Sequence, residues 1–347
     1  MRCTLIKAAE LTPELSAVWS GFQDANPQFR SPALRPELFQ IVGRYYSRAR
    51  IAIFEDERGI AGFLPIARHP VFGSVAGPVP ICDYQDAVMR PGWDTSLPDL
   101  LKVAGLKTLL FEHLLVPPGP PPEVTVLFTR YSKRIHIAST WDDYLAGLKE
   151  NGKSMKNILT KLRLLGRDHG EVVFSEDSRD EKVLDPLLDW KAQRFNHGKP
   201  VDAWISGALH EIFATRTPEF AGVLGTLYAG DQLVAAHFGM KSGRVLYYWF
   251  PAFNPAFSKY TPGWLLVEAL LRTAGNLDCD TIDLGPGGEP YKDYFSNVQI
   301  PVSGGYIELP GAINLARRSY RAIRNGVRGN RAALSILRPL RQVLRRL

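Results

Sequence analysis

The sequence predicts an α/β fold with mixed sheets, divided between two domains. Near the N-terminus, helical segments are followed by two apolar strands around a turn at 55–59. Farther along, three apolar runs within 222–250 are separated by two short turns, and a capped helix and another strand follow. The chain has 347 residues, of which 45% are hydrophobic. That length is sufficient for two domains with substantial cores.

The first domain is expected to cover 1–138. Its predicted elements, in order, are helices at 14–22 and 36–48, strands at 51–54 and 60–66, a helix followed by a strand within 100–115, and a strand at 124–128. Between them lies the run Asp83-Tyr84-Gln85-Asp86. Tyr84 and Asp86 are candidates for recognising substrate hydroxyls, and the alternative is that the two acids are exposed turn residues.

A helical connection is predicted over 141–167. Met155, Ile158, Leu159, Leu162 and Leu165 form an apolar stripe, and Lys153, Lys156, Lys161, Arg163 and Arg167 lie on or near the other faces. Two interpretations stay open. The cations either form a solvated face, or they meet an anionic sugar nucleotide, lipid phosphate or polysaccharide across a domain cleft.

The second domain is expected to cover 139–308. Its elements are a strand at 171–174, helices at 184–195 and 208–215, strands at 222–228, 232–240 and 245–250, a helix from 261, a strand from 281 and a closing strand at 304–309. Ser206 is the predicted cap of the helix at 208–215.

The helix that begins at Thr261 is a candidate anion site. Thr261 is the predicted N-cap, Pro262 suits the first helical position, and Gly263 lets another molecule approach the unpaired N–H groups. The alternative is that this run only caps a packed helix.

A strand ends in flexible backbone just before a cluster of charged and phenolic groups. The run at 281–284 is β-like, 285–288 is Gly-Pro-Gly-Gly, and Glu289, Tyr291 and Lys292 follow. This order is typical of a sequence that presents reactive groups at a sheet edge.

These motifs together resemble the GNAT-type acyltransferases of the cellulose-biosynthesis CelD-like group, which are related to the Fem peptidyltransferases. The resemblance is carried by Trp190-Lys191, the hairpin at Gly230-Asp231, the run 260–266, and Asp283-Leu284-Gly285 with 289–292. Ser31-Pro32, Leu64-Pro65-Ile66 and the run 83–86 resemble the family's first half. The resemblance implies two tandem GNAT-like domains, with the second carrying an acyltransferase site.

What the resemblance implies about chemistry is N-acyl transfer from acyl-CoA, such as acetyl-CoA, to an amino group of a sugar or polysaccharide precursor. The pyrophosphate of coenzyme A would lie near Lys259, Tyr260, Thr261, Gly263, Trp264 and Leu265. The chain lacks the usual Gln or Arg followed by a Gly-x-Gly or Gly-x-Ala run, so aminoacyl-tRNA stays open as the donor. A GNAT-shaped scaffold of a polysaccharide-synthesis complex is the alternative without catalysis.

Three residues are candidate general bases. His237 lies in mid-strand and titrates in a useful range, although an apolar strand is also the setting of structural histidines. Asp283 and Glu289 are rivals if burial raises their pKa, and Asp283 could instead order the loop. The candidate substrate-binding residues are Lys191, Arg194, Tyr291 and Lys292. The alternative for Lys292 is a salt bridge to a nearby acid, and the alternative for Lys191 and Arg194 is an exposed helix face without a binding role.

Several function classes are disfavoured by what the sequence lacks. The other histidines show no metal-ligand spacing, so no metal is expected, and no Gly-x-Ser-x-Gly, Walker or Rossmann motif occurs. Three scattered cysteines favour a reducing compartment. The N-terminus lacks a signal-peptide core, so a cytoplasmic protein is expected.

The basic character lies in the predicted C-terminal tail, 309–347. The net charge is +7, and the tail holds ten arginines and no acid, so the rest of the chain carries 7 − 10 = −3. Leu340, Val343, Leu344 and Leu347 fall at helical spacing among arginines. The tail is therefore predicted to be a basic amphipathic helix that attaches to an anionic inner-membrane surface, with a partner protein or RNA as alternatives.

Overall fold

The computed structural model describes residues 1–69, 73–77, 81–115, 123–137, 140–195 and 199–310. In chain order the elements are β1 (Arg2–Lys7), α1 (Pro13–Asp24), α2 (Pro36–Tyr45), β2 (Ala49–Asp56), β3 (Gly59–His69), β4 (Gly73–Ala76), β5 (Val88–Met89), α3 (Leu97–Val103), β6 (Thr108–Leu115), β7 (Val124–His136), α4 (Trp141–Glu150), α5 (Lys156–His169), β8 (Val172–Ser175), α6 (Leu184–Phe195), α7 (Ala203–Ala214), β9 (Ala221–Ala229), β10 (Gln232–Ser242), β11 (Val245–Phe253), α8 (Pro262–Thr273), β12 (Thr281–Pro286), α9 (Pro290–Phe295) and β13 (Val298–Glu308). Short 3₁₀ turns lie between several of them.

The chain forms two compact units that are interleaved along the sequence. Unit 1 contains 1–26, 46–129 and, within the described residues, 302–310, whereas unit 2 contains 27–45 and 130–301. The division expected from the sequence assigned 27–45 to the first domain and 302–308 to the second. Both segments instead pack with the other unit.

Unit 1 is built on a mixed sheet with the strand order β1-β2-β3-β4-β6-β13. The pairs from β1 to β4 are antiparallel, whereas β4 and β6 run parallel. Its core contains fully buried side chains from the sheet and from α3, among them Phe54, Leu64, Leu101 and Phe111.

Unit 2 is built on a second mixed sheet. From β12 the order is β11, β10, β9 and β8, and residues 132–136 of β7 lie antiparallel to the other side of β12. Strands β9, β10 and β11 are antiparallel, as the two short turns between them predict. Strands β11 and β12 are parallel because α8 carries the chain back across the sheet.

Two helical layers complete unit 2. Apolar side chains of α8, including Leu265, Leu266 and Leu270, are buried with those of the sheet. Helix α2 packs on α7, where Arg44 forms an ion pair with Glu211. Four apolar residues of α2 are buried: Leu38, Phe39, Ile41 and Val42.

The predicted α/β class with mixed sheets is confirmed, and most predicted elements occur near their expected positions. Several details differ. Helix α7 begins after Asp202, so Ser206 lies inside the helix and caps nothing. The predicted connection over 141–167 is two helices separated at 151–155. Strand β1 was not predicted, because its polar and apolar residues do not alternate cleanly.

Apart from residues 309 and 310, the predicted tail at 309–347 lies outside the described residues. Within the residues that are described, every helix is too short or too polar to cross a bilayer.

Candidate functional site

A bulge in β11 shapes the middle of unit 2. Phe238 pairs with Phe250 and Met240 pairs with Tyr247, so Tyr248 and Trp249 together oppose the single residue Gly239. A Cβ on Gly239 would lie 2.3 Å from the Tyr247 carbonyl oxygen, so only glycine permits this close approach. Such bulges bend a strand and redirect its side chains.

Strands β11 and β12 separate just beyond this bulge. Their register covers only Val245–Tyr247 and Thr281–Asp283. Strand β12 then turns at Gly285, whose φ is +70°, and leads to α9. The first turn of α8 and the end of α6 lie beside the separated strands.

A cavity of about 270 Å³ occupies this part of unit 2. Its walls come from α6, β11, the first turn of α8 and the start of α9. The polar lining residues are Lys191, Arg194, Tyr248, Ser258, Thr261, Glu289 and Tyr291. The volume is close to the lower end of ordinary ligand pockets, about 300 Å³.

The N-terminal end of α8 forms one wall. Thr261 is the N-cap residue, as predicted, but its backbone is left-handed (φ 55°, ψ 55°) and its side chain makes no capping hydrogen bond. A non-glycine residue in this region is strained, and such strain concentrates at functional sites. Gly263 lines the cavity, and a Cβ added there would meet no atom within 4 Å. The first-turn N–H groups and the helix dipole favour an anion at this wall.

Two cations of α6 line the cavity from another side. The Lys191 ammonium lies 4.7 Å from the ring centre of Phe250, and the Arg194 guanidinium lies 5.8 Å from that of Phe253. Since the two residues are three apart on one helix, both face the same way. The charge of Lys191 also helps to lower the pKa of Glu289.

Glu289 supplies an anion to the same cavity. Burial alone would raise its pKa, but the nearby Lys292 ammonium, 3.2 Å from Oε2, outweighs that effect and the pKa is lowered. Lys292 is buried, and it also donates a hydrogen bond to the Pro286 carbonyl at 2.9 Å. Lys292 therefore holds the carboxylate and the loop in place, and it is not among the lining residues.

Two phenols lie deep in the site. Tyr248 is 1% exposed, and its ring centre is 6.4 Å from that of Tyr291, nearly edge to face. Burial raises the pKa of both hydroxyls, so both stay protonated at physiological pH.

His237 lies behind Tyr248, 4.7 Å between ring centres, and is not among the lining residues. Its ring fills the space that a Cβ on Gly225 would need. Burial lowers the pKa of His237 to about 3, so the imidazole is neutral at physiological pH and is a weak base.

Asp283 is fully buried and also lies outside the lining. Oδ2 accepts a hydrogen bond from Arg134 Nε at 2.9 Å, and Oδ1 accepts one from the Gly285 backbone N–H at 2.9 Å. This geometry orders the turn at Gly285, which was the structural alternative for this residue.

Of the six residues predicted to hold a cofactor, Thr261, Gly263 and Trp264 line the cavity and three do not. The Tyr260 hydroxyl donates to Asp168 at 2.7 Å, and Lys259 lies 3.8 Å from the same carboxylate. Leu265 is buried in the core. Consequently Lys259, Tyr260 and Leu265 support the wall from behind.

The predicted substrate residues Tyr84 and Asp86 belong to unit 1, away from this lining. Tyr84 is fully buried. Asp86 accepts a hydrogen bond from the Ala87 N–H at 2.7 Å, and burial raises the pKa of its carboxyl to about 7.

The predicted cationic face of 141–167 makes contacts within unit 2. Lys153 donates to the carbonyl oxygens of Asp293 and Tyr294, and Lys161 donates to that of Lys259. None of the five cations is among the cavity-lining residues. Across the described part of the chain, no group of three or more His, Cys, Asp or Glu side chains is arranged to hold a metal ion.

The family match supports an acyltransferase. Residues 152–293 match the family model of the acetyltransferase (GNAT) domain, and this segment contains every residue that lines the cavity. Residues 152–293 are thus similar to a GNAT acetyltransferase domain. No curated protein matches the sequence.

Solved structures show the same fold over most of the chain. A protein of unknown function from Bacteroides thetaiotaomicron has a TM-score of 0.54 at 10% identity, over 86% of this chain and 98% of that one. The C-terminal domain of a protein from Agrobacterium fabrum, assigned as a lysylphosphatidylglycerol synthetase, has a TM-score of 0.50 at 12% identity, over 89% and 97%. A tandem GNAT protein from the clavulanic acid biosynthesis pathway has a TM-score of 0.50 at 10% identity, over 89% and 99%. At these identities the similarity concerns the fold alone.

Among the polar lining residues, Tyr248 and Ser258 were not predicted from the sequence. A signal for the first was present in the run Tyr247-Tyr248-Trp249-Phe250-Pro251. Proline inside a strand marks an edge or a bulge, and the bulge is what directs Tyr248 to the cavity.

Proposed function

We propose that the protein is an N-acyltransferase that moves an acyl group from acyl-CoA to an amino group bound in the unit 2 cavity. The observation that carries this proposal is the meeting, in one cavity, of an open helix N-terminus and a partly buried carboxylate. The first suits a phosphorylated donor and the second suits proton removal from an amine.

The residues at the start of α8 fit the pyrophosphate of coenzyme A. Gly263 leaves room for phosphate oxygens to approach the backbone, and the hydroxyls of Ser258 and Thr261 line the same wall. Pro262 fixes the first turn without itself offering an N–H. The chain thus replaces the usual Gly-x-Gly or Gly-x-Ala run with Thr-Pro-Gly at the start of a helix of twelve residues.

Glu289 is the best-placed base among the three candidates, because it alone lines the cavity. Its lowered pKa keeps it ionised at neutral pH. As the amine nitrogen bonds to the acyl carbon, that nitrogen becomes acidic and its proton passes to the carboxylate. The bond from the acyl carbon to sulfur breaks, and the thiolate leaves with the electron pair and is protonated by solvent.

The proposed acceptor is an amino group on a sugar or polysaccharide precursor in cell-envelope or exopolysaccharide synthesis. The resemblance to the CelD-like group supports this class. The cavity supports it further, since Glu289 can bind an ammonium, Lys191 and Arg194 can bind an acidic substituent, and the rings of Tyr291 and Phe253 offer apolar faces.

Calorimetric titration with acetyl-CoA and longer acyl-CoAs tests the donor assignment. A Cβ at Gly263 would meet no atom within 4 Å, so Gly263→Trp should fold, and its ring should obstruct the helix N-terminus. We expect the affinity to fall at least about tenfold, which is about 1.4 kcal/mol. Gly147→Trp is the matched control, because Gly147 is also helical and open but lies outside the lining.

Equal affinity in Gly263→Trp and wild-type protein would move the donor site away from α8. If wild-type protein binds none of the thioesters, the acyl-CoA assignment fails. Charged tRNA and then a scaffold role would be tested next.

A further inference from the structure

The hydroxyl of Tyr248 is a buried polar group without a partner. Tyr248 lines the cavity, and among the described residues no atom forms a hydrogen bond with its hydroxyl. Tyr248 as a whole is 1% exposed. A buried hydroxyl that has lost its water and gained no partner is destabilising, so its presence points to a ligand that satisfies it.

The surroundings of this hydroxyl restrict what it can do. On one side lies the neutral ring of His237, whose two nitrogens also lack hydrogen bonds among the described residues, and on another side lies the edge of Tyr291. Burial raises the pKa of the Tyr248 hydroxyl well above its usual value. The group is consequently a poor proton source and a durable hydrogen-bond donor.

The position of Tyr248 follows from the backbone. Tyr248 is one of the two bulge residues that lie opposite Gly239, at the point where β11 and β12 separate. Gly263, at the proposed acyl-CoA site in the first turn of α8, and Glu289 line the same cavity. A carbonyl carbon attacked by an amine at Glu289 must lie between these walls.

We propose that the Tyr248 hydroxyl donates a hydrogen bond to the carbonyl oxygen of the acyl group and stabilises the negative charge that develops there. This inference rests on the proposed function, because it requires an acyl thioester in the cavity. Tyr248 forms and breaks no covalent bond in this role. Its contribution grows as the carbonyl oxygen gains charge, which is how such donors lower a barrier.

Infrared difference spectroscopy of bound acetyl-CoA, labelled with ¹³C at the carbonyl, observes this contact directly. In wild-type protein we expect the carbonyl band to shift to lower wavenumber than in free acetyl-CoA, because a donated hydrogen bond weakens the C=O bond. In Tyr248→Phe the band should return to the free position. Tyr247→Phe is the control, since Tyr247 is equally buried in the same strand but does not line the cavity.

Thermal unfolding is a second measurement. The unfolding temperature of Tyr248→Phe would be lowered if the Tyr248 hydroxyl had a structural role. Because Tyr248→Phe removes a hydroxyl that has no hydrogen-bond partner among the described residues, the variant should unfold at the same temperature as wild-type protein or higher. A clearly lower unfolding temperature would mean that the hydroxyl stabilises the protein itself, which would overturn the inference.

The remaining outcomes separate this inference from the proposed function. Bound acetyl-CoA with an unshifted band, or with equal shifts in wild-type and Tyr248→Phe protein, overturns the role of Tyr248 and leaves the proposed function standing. Failure of wild-type protein to bind acetyl-CoA overturns both. With an acceptor in hand, Tyr248→Phe should lower kcat about 10²-fold or more, the loss measured for single donors of this kind.

Discussion

Glycine at position 287 allows the Glu289 carboxylate and the Lys292 ammonium to lie close to the backbone beside the cavity. A Cβ there would lie 2.3 Å from Glu289 Oε2 and 2.7 Å from Lys292 Nζ, and the backbone φ is +148°. The pair can therefore approach the loop closely only because residue 287 has no side chain. The consequence is a carboxylate that is fixed in position, partly buried and still charged.

Replacing this carboxylate tests its role as the base. Glu289→Gln keeps the shape but cannot take a proton, so we expect kcat for acyl transfer to fall about 10²-fold or more while acyl-CoA affinity changes little. Steady-state kinetics and calorimetry measure the two effects. Asp293→Asn on the same short helix is the control, because Asp293 is largely exposed and lies outside the lining.

The pH dependence of Glu289 has a definite sign. Since its folded pKa is lowered from 4.5, the charged carboxylate persists above that value and is lost only as the pH falls through the folded pKa. Activity limited by Glu289 should thus be flat from pH 6 upward.

An unchanged kcat in Glu289→Gln would contradict the role of Glu289 as the general base. His237 and Asp283 would then be the remaining candidates for that role.

Residue types were easier to predict than their surroundings. The cluster of Glu289, Tyr291 and Lys292 after a Gly-rich run was recognisable, because local sequence places such groups at a strand end. The burial that leaves His237 with a pKa of about 3, and the missing partner of the Tyr248 hydroxyl, depend on residues distant in sequence. Neither can be read from a single strand.

At the scale of elements, the bulge in β11 determines which side chains reach the cavity. Gly239→Ala places a Cβ against the Tyr247 carbonyl, a backbone atom that cannot rotate away. We expect a loss of about 1 to 3 kcal/mol in the free energy of unfolding, typical of overpacking, together with weaker acyl-CoA binding as Tyr248 and Trp249 shift. Urea unfolding and calorimetry measure these changes.

Gly147→Ala is the matched control, since that glycine is helical and open and alanine there should stabilise by up to about 1 kcal/mol. Wild-type stability in Gly239→Ala would show that the bulge is not set by close backbone approach.

Strand and helix positions in unit 2 were largely predictable because period and turn residues are local. The order β9-β10-β11-α8-β12 followed from two short turns and one capped helix. The bulge was not predicted, since periodicity identifies a strand but does not fix its register with a neighbour. Helix α7 was predicted to begin five residues late because Ser206 imitates a cap.

At the scale of the molecule, unit 2 depends on a helix from far upstream. The fully buried side chains Leu38, Phe39 and Val42 of α2 should each contribute about 1.5 to 3 kcal/mol by burial. A fragment of residues 130–301 lacks this helix and should unfold at a lower urea concentration than the same fragment with residues 27–45 fused through a flexible Gly/Ser linker. Equal midpoints for the two fragments would mean that α2 adds no stability to unit 2.

The interleaving itself was beyond the sequence argument, which assumed that each domain is continuous. Nothing in Pro36–Tyr45 distinguishes a helix that packs on its neighbours in sequence from one that packs on α7. Only the three-dimensional partner decides the assignment.

The interleaved chain also has a consequence for synthesis on the ribosome. Residues 27–45 emerge early, yet their partner α7 begins at residue 203, and unit 1 requires a strand that begins at 298. Neither unit can be completed until most of the polypeptide has left the exit tunnel. Because translation adds roughly 5 to 20 residues per second, the roughly 160 residues from α2 to α7 take about 8 to 30 seconds, and the apolar side of α2 lacks its partner during that time. A nascent chain of this kind needs protection from aggregation, for example by a chaperone, through most of its own translation.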